Sequence, residues 1–281
     1  MAEQIKITVI GAAGRMGRQL VKEISASEKF ELVGAIEDKK SEFLGKDVHE
    51  VAKVESKGLI ISDELLDAVI KSDALIDFSS IDSTLSAIEF SAQSRIAHVI
   101  GTTGFDDNQE DLIKAAARHA TIIKSGNMSL GVNILLGIAK KTSELIDDNW
   151  DIEINEVHHK EKKDHPSGTA LDIGSSIAEG RNVELKKVKE ISDPIDITEN
   201  IDLTSKNKNI SRKKGTIGFT SYRQEGVVGD HSIVFEGNNE RIALSHIAES
   251  RNIFSKGALR AAEWGVKQDP GLFSMIDVLG F

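Results

Sequence analysis

Between Glu156 and Ala170 the chain reads EVHHKEKKDHPSGTA, with three histidines (His158, His159, His165) and three lysines (Lys160, Lys162, Lys163). Ser167 follows Pro166 and precedes Ala170, Leu171, Ile173 and Ile177, so the pattern predicts a helix capped at Ser167. The first-turn N–H groups of Gly168 and Thr169 then lack helical partners. The positive end of the helix dipole backs them, which makes a seat for a carboxylate or phosphate. Gly168 has no side chain to hold an anion away from the backbone. Imidazole and ammonium groups beside that seat can move protons, because modest environmental shifts bring either into a useful range. The stretch therefore predicts one site that binds an anionic substrate and moves a proton on it.

Two other readings of the same residues compete. A His/Lys-rich run is often only a solvated loop. Three histidines can also ligate a metal, but the chain has no Cys and shows neither a His-x-x-x-His helix pair nor a glutamate in the zincin position. No metal is expected. A formal charge of −10 over 281 residues argues against nucleic acid as partner, since phosphate-backbone affinity needs a basic footprint. Lys160, Lys162 and Lys163 are then a local positive spot suited to a small anion. Without Cys there are no disulfides and no thiol nucleophile. No run of about 18 apolar residues suggests a membrane span. The chain enters a strand-like IKITVI at Ile5, which leaves no room for a signal peptide, and a cytoplasmic location is expected.

The elements that must position this site begin with that strand. IKITVI runs into GAAGRMG, spaced G-x-x-G-x-x-G, and a helix to about Ser25. This is a variant of the dinucleotide-binding fingerprint. Gly11 makes the tight turn, Gly14 lets a diphosphate approach the helix start, and Gly17 allows close helix–strand packing. A second strand, Phe30–Ile36, ends in Glu37 and Asp38, where an acid would bind the adenosine ribose. Strand-like runs at 73–78, 97–100 and 121–124 alternate with helical patterns at 83–91 and 107–119. That alternation predicts a parallel sheet with helices on both faces. The small polar loops at 79–80, 101–104 and 125–129 fall at its carboxyl edge and would hold the nicotinamide half of a dinucleotide.

Residues 41–62 carry no readable function. An apolar helix at 131–146 leads to a strand at 150–157, which ends in the opening motif. Residues 184–214 are mostly charged, and their basic end, Ser211 to Lys214, is expected as a solvated loop. Strands at 215–223, 229–236 and 241–247 predict an antiparallel or mixed sheet. A helix at 250–267 and an apolar tail at 271–281 close the chain. The expected class is α/β: an N-terminal Rossmann-type doubly wound parallel sheet plus a C-terminal α+β substrate domain with a mixed sheet. The expected boundaries are 1–129 for the dinucleotide domain and 130–247 for the substrate-binding and oligomerisation domain, with 248–281 packing back on the first.

The motifs together resemble the dihydrodipicolinate reductase (4-hydroxy-tetrahydrodipicolinate reductase) family of diaminopimelate and lysine biosynthesis. The resemblance runs essentially end to end. It rests on VIGAAGRMG at 9–17, GTTG at 101–104, GNMSLGVN at 126–133, EVHH at 156–159 with Lys162, Asp164 and PSGTA at 166–170, GTIGF at 215–219, and Gly257-Ala258. The His-His…Lys…Pro-Ser-Gly-Thr-Ala string is specific; the glycine motif is much less so. The resemblance implies His158 as proton donor or acceptor and Lys162 as proton donor. It makes His159, Gly168 and Thr169 contacts to substrate carboxylates, beside the Ser167 cap. Gly11, Ala12, Ala13, Gly14, Arg15, Met16, Glu37, Asp38, Gly101, Thr102, Thr103, Ser125, Gly126, Asn127 and Met128 become cofactor contacts. It further implies a small dicarboxylate substrate, a cofactor domain closing on a substrate domain, and a homotetramer built through the second-domain sheets.

Hydride from the nicotinamide would add to a conjugated C=C–C=N ring, and the resulting enamine would take a proton from a lysine or histidine. Either NADH or NADPH fits that chemistry. Asp38 stands where members accepting a 2′-phosphate often carry Arg, and Ser80-Ile81 where an Arg-Pro-like pair is common. NADH is favoured because Glu37 would bond the ribose hydroxyls and, with Asp38, oppose a 2′-phosphate, which Lys39 and Lys40 would offset only in part. Two rivals remain. An aspartate or homoserine dehydrogenase-like enzyme explains the glycines but not the histidines. A non-catalytic dinucleotide-sensing regulator would want a DNA-binding helix pair or basic face, and an acidic chain offers neither.

Overall fold

Short apolar runs with little polar alternation become strands covered on both faces, as the parallel-sheet reading requires. In the computed structural model, which describes residues 3–207 and 209–281, these are β1 (Ile5–Ile10), β2 (Phe30–Ile36), β3 (Ala74–Asp77), β4 (Ala97–Ile100) and β5 (Thr121–Lys124). A late strand, β12 (Gly271–Phe273), adds beside β5. The order β12-β5-β4-β3-β1-β2 is parallel throughout. The chain divides into two compact units: the residues through Leu130 with Asn252–Gly280, and Gly131–Arg251 with Phe281.

In the first unit, Ile7, Val9, Ile76, Val99 and Ile123 cluster with Leu20, Val21 and Ile24 of α1 (Arg15–Ser25) and with Ala258, Leu259 and Ala262 of α9 (Asn252–Gly265). The other face buries Ile10, Leu75, Ile100 and Ile122 against α3 (Leu65–Val69), α4 (Ile81–Ser94) and α5 (Asp107–Ala116). Helices on both faces are the doubly wound arrangement. Helix α4 starts two residues before the apolar pattern suggests, because Ser80 caps it by accepting the Ser83 N–H at 3.3 Å. The apolar tail is more ordered than a tail: after β12, Ser274 and Asp277 form a capping box that starts α10 (Met275–Leu279). Residues 41–62 hold one short helix, α2 (Val48–Ala52), capped by Asp47.

The second unit holds α6 (Leu130–Leu145, from its second residue), β6 (Asp151–His158), α7 (Gly168–Gly180), α8 (Leu185–Val188), β7 (Lys189–Ile191), β8 (Ile195–Asp196), β9 (Ile217–Arg223), β10 (Asp230–Glu236) and β11 (Arg241–Ile247). The sheet runs β11-β10-β6-β9-β7, with β8 also paired to β9. It is mixed: β10 is antiparallel to β6 and β11, while β9 is parallel to β6, β7 and β8. In register, Ile152, Ile217 and Phe235 share one face with Ile154, Phe219 and Ile233, and all six are buried. Further along that face the same register brings Glu156, Ser221 and His231 into line, with His158 beside Arg223.

The opposite face is polar, which corrects the reading of 211–214 as wholly solvated. Glu153 and Asn155 are buried there and need partners. Arg212 supplies one, bonding Glu153 Oε1 at 2.8 Å, the Phe219 carbonyl at 2.8 Å and Thr220 Oγ1 at 3.1 Å. Asn155 donates to the Leu203 and Ser205 carbonyls at 2.8 and 3.1 Å. Lys213 and Lys214 are exposed.

Candidate active site

At the carboxyl ends of β1, β2 and β3 lies a cleft of about 400 Å³, lined by Gly11, Ala13, Gly14, Glu37, Asp38 and Phe43. A second of about 460 Å³ is lined by Arg15, Met16, Gly101, Thr102 and Thr103, and both include Phe78, Ser79 and Ser80. The chain passes from β1 to β2 on one side and places β3 on the other, so this is the switch point where such sheets bind ligands. Gly11 takes φ +77°, and a Cβ at Gly17 would fall 2.1 Å from the Gly11 carbonyl oxygen. Only glycines allow the turn and the helix to close together here. The cap residue Gly14 offers α1 no side-chain bond, which leaves its first turn to an anionic group.

Glu37 accepts the Ala13 N–H at 2.7 Å, so the acid at the end of β2 also braces the glycine turn. Buried Asp77 ties two loops together. Its Oδ1 accepts from Ser79 N (2.9 Å), Ser79 Oγ (2.5 Å) and Thr102 Oγ1 (3.3 Å). In the third loop Ser125 Oγ donates to the Asn127 carbonyl at 2.8 Å, and Met128 is buried. A turn that admits only glycine, an uncapped helix start and an acid at the strand end fit a dinucleotide.

In the second unit, β6 delivers Glu156 and His158 to the start of α7. Glu156 Oε1 accepts the Ser167 N–H (2.9 Å) and the Ser221 hydroxyl (2.7 Å). Ser167 caps α7 by accepting the Ala170 N–H at 3.1 Å. Space next to Gly168 is open: a Cβ there would meet nothing within 4 Å. Thr169, next in the first turn, is half-buried. Glu156 Oε2 faces His158 Nδ1 at 3.5 Å and His231 Nε2 at 3.6 Å.

Burial alone would push the Glu156 carboxyl up. The His231 contact, the bonds from Ser167 and Ser221 and the His158 charge outweigh it and hold the group at about 2. Burial pushes His158 the other way, down to about 4. Glu156 opposes that shift, and the charges of His231, Lys162 and Arg223 reinforce it. At neutral pH the pair is therefore a carboxylate beside a neutral imidazole. Lys162 Nζ bonds Asp164 at 2.9 and 2.8 Å. Arg223 pins that loop by donating to the Lys162 and Asp164 carbonyls at 3.2 and 2.8 Å.

Glu156, His158 and His231 offer three ligand atoms within 4.8 Å of one another, a spacing a metal could bridge. Only one of the three is anionic, and the Arg223 and Lys162 cations both act on His158. That balance disfavours a dication.

The chain is similar to known proteins along its whole length. Residues 5–128 match the family described as Dihydrodipicolinate reductase, N-terminus, and residues 131–279 match Dihydrodipicolinate reductase, C-terminus. The chain belongs to the dihydrodipicolinate reductase family. It is 49% identical over 281 residues to the 4-hydroxy-tetrahydrodipicolinate reductase of Parvibaculum lavamentivorans, covering 100% of this chain and 99% of the relative. It is 46% identical over 277 residues to the enzyme of that name from Chelativorans sp., covering 98% and 95%. Among solved structures, a dipicolinate-bound dihydrodipicolinate reductase from Paenisporosarcina sp. TG-14 has the same fold, at TM-score 0.75 and 24% identity over 97% of this chain and 98% of that one. As a dihydrodipicolinate reductase family member the chain is a nicotinamide-dependent oxidoreductase.

Of the residues picked out in the sequence, His158 and Ser167 both face Glu156, and the Lys162 charge acts on His158. His159 is half-buried and follows directly, while Lys160, Lys163 and His165 are exposed. Sequence reasoning missed Ser221, Arg223 and His231, and passed over Glu156 although it opens the motif. The one available signal was the inward register of β9, where Ser221 and Arg223 continue the face of Ile217 and Phe219. Phe43, between Arg18 and Lys46 at 5.0 and 4.8 Å, came from the stretch with no readable function.

Proposed function

We propose that this chain catalyses the nicotinamide-dependent reduction of 4-hydroxy-tetrahydrodipicolinate to tetrahydrodipicolinate, with the 4-hydroxyl leaving as water, in diaminopimelate and lysine biosynthesis. The observation that carries the reading is the meeting of a neutral, buried His158 and the Lys162 ammonium with the capped start of α7, at the end of one strand. The names of the relatives, and the dipicolinate bound to a fold neighbour, supply the substrate class.

In this reading the first unit holds the dinucleotide, using residues 11–16, Glu37, Asp38, 101–103 and 125–128. The second unit binds the substrate. When bound, the reduced nicotinamide supplies a hydride. The protein's own part is to hold one substrate carboxylate at Ser167, Gly168 and Thr169 with help from His159, and to deliver a proton. Lys162 carries that proton, while Asp164 and the carbonyl-pinning Arg223 limit where its ammonium can go. His158, neutral at rest, accepts or relays it at its ring nitrogen.

NADH is the favoured cofactor, because Glu37 and Asp38 both line the cleft where a 2′-phosphate would sit. A cytoplasmic homotetramer completes the proposal. Its support is β11, an edge strand with Ile242 and Ile247 exposed, which another chain could cover. Light scattering after size exclusion tests the assembly.

The activity is tested by following NADH and NADPH oxidation with the condensation product of pyruvate and aspartate-semialdehyde, beside homoserine with the oxidised cofactors. Oxidation dependent on the condensation product is expected. Turnover of homoserine alone would replace this reading with the dehydrogenase one.

A further inference from the structure

The proton chemistry proposed above uses His158 and Lys162 and leaves two buried ionisable groups beside them without a task. Glu156 is 1% exposed and His231 is 4% exposed. Burying a carboxylate is unfavourable unless it is paired and hydrogen-bonded, so its presence at the end of a sheet calls for a reason. Its two oxygens have divided duties. Oε1 is spent on the Ser167 N–H and the Ser221 hydroxyl. Oε2 makes no bond of normal length and faces both imidazoles, which meet edge to face with centroids 5.1 Å apart. His231 Nε2 also lies 3.2 Å from Ser167 Oγ, the cap of α7.

An ionised carboxylate can only accept, so a neutral ring facing it turns an N–H toward it. For His158 the facing atom is Nδ1. The lone pair is then left at Nε2, on the side of Gly229, where an added Cβ would lie 2.9 Å from that nitrogen.

We propose that Glu156 and His231 are positioning residues for His158. The carboxylate fixes the hydrogen on Nδ1 and the lone pair at Nε2, and His231 holds the carboxylate between the α7 cap and the ring. The catalytic meaning of this arrangement rests on the proposed role of His158; the tautomer itself does not. One consequence concerns geometry. The proton-handling ring and the anion seat at Ser167 hang on the same carboxylate, so substrate anion and imidazole are held in one frame.

Glu156→Gln separates shape from charge. Its amide oxygen can still accept from Ser167 and Ser221, which turns the NH₂ group toward the histidines. His158 Nδ1 must then accept, and the ring hydrogen moves to Nε2. The full-length enzyme, labelled with ¹⁵N-histidine, reports the tautomer directly, with the His158 signal identified by its loss in His158→Asn.

The expected result is Nδ1–H in the parent at neutral pH and Nε2–H in Glu156→Gln. In the variant kcat should fall on the order of 10²-fold or more, as expected when a catalytic imidazole is held in the wrong tautomer, while KM and NADH affinity stay within about twofold. The His158 titration should move down in Glu156→Gln, which loses an attractive charge, and up in His231→Gln, which loses a repulsive one. A purely structural role would not produce opposite shifts.

An Nε2–H parent, or a Glu156→Gln enzyme that keeps Nδ1–H, overturns the proposal. If Glu156→Gln fails to fold, the parent tautomer and the direction of the His231→Gln shift decide it. The tautomer is read without substrate. A correct tautomer in an enzyme that turns over no condensation product would sink the proposed function and leave the positioning roles standing.

Discussion

The cleft of the first unit and the buried cluster of the second are built from different materials. The cleft is made largely of backbone: a turn admitting only glycine, an uncapped helix start, and Glu37 bracing the Ala13 N–H. The cluster is made of side chains that meet from β6, β9, β10 and the cap of α7. A site for a ligand that always presents the same diphosphate and ribose can be written into consecutive residues. A site that must hold a proton in one place needs opposed charges and low dielectric, and several strands are required to enclose them. Damage to the cleft should therefore be steric, and damage to the cluster electrostatic.

The sharpest test of that contrast removes the proton-handling groups. Lys162→Ala and His158→Ala should each lower kcat on the order of 10²–10⁴-fold while leaving NADH affinity nearly unchanged. Steady-state kinetics alongside fluorescence titration of NADH separates the two effects. Near-full turnover in both variants would remove the second unit from the chemistry.

Gly17→Ala probes the other side. The new Cβ would meet the Gly11 oxygen at 2.1 Å, a backbone atom that cannot swing away. Overpacking of this kind costs about 1–3 kcal/mol. A drop in thermal stability with weakened NADH binding is expected, with the His158 titration unmoved. A stable variant that binds NADH normally would show that the turn has slack.

The same contrast explains what could be read from the chain alone. GAAGRMG, the strand ending in Glu37 and the loops at 101–104 and 125–129 are contiguous signals, and β1 to β5 announce themselves as apolar runs, whereas three-residue β12 was read only as part of a tail. The motif at 156–170 was equally visible because β6, the following loop and the α7 cap are neighbours in sequence. Ser221, Arg223 and His231 were not, since their partners lie some 60 residues away and only strand register brings them together. Arg212 was read as solvated because nothing local to SRKK shows the buried Glu153 it must neutralise. Phe43 sits in an irregular segment with neither period.

Acid should distinguish the regions with a smaller, graded effect. His158 is depressed from its ordinary 6.5 to about 4, so the unfolded chain takes up its proton first. The stability it contributes is full above about 6.5 and is lost as pH falls through about 4. Glu156, depressed to about 2 from 4.5, contributes stability that is full above about 4.5 and is lost toward 2. Melting temperature should thus fall steadily below pH 6.5, and His158→Asn should flatten the portion between 6.5 and 4. A parent whose melting temperature is level across that portion would mean that His158 is not buried as a neutral ring.

The smallest expected effect is in the cleft and concerns the ribose phosphate. Glu37 is half-buried, with one oxygen on Ala13 and the other side open to a ribose hydroxyl, and Asp38 lines the same cleft. A 2′-phosphate there opposes two carboxylates. Asp38 is partly occupied, because its Oδ1 accepts the Lys40 N–H at 2.8 Å, which fixes the turn but leaves its charge in place. Lys39 and Lys40 are exposed, and their ammonium groups can swing over a phosphate on flexible stems. Exposed contacts of this kind are worth about 0–1 kcal/mol and are screened by salt, whereas the half-buried Glu37 is screened less. The net should be a preference for NADH in kcat/KM of no more than about tenfold, equivalent to about 1.4 kcal/mol. Raising salt should widen it, since salt removes the lysines' help before it removes the repulsion from Glu37. Measuring kcat/KM for both cofactors across ionic strength decides the matter. An NADPH preference at low salt that collapses as salt rises would show that the two lysines, not the two acids, set the selectivity of this cleft.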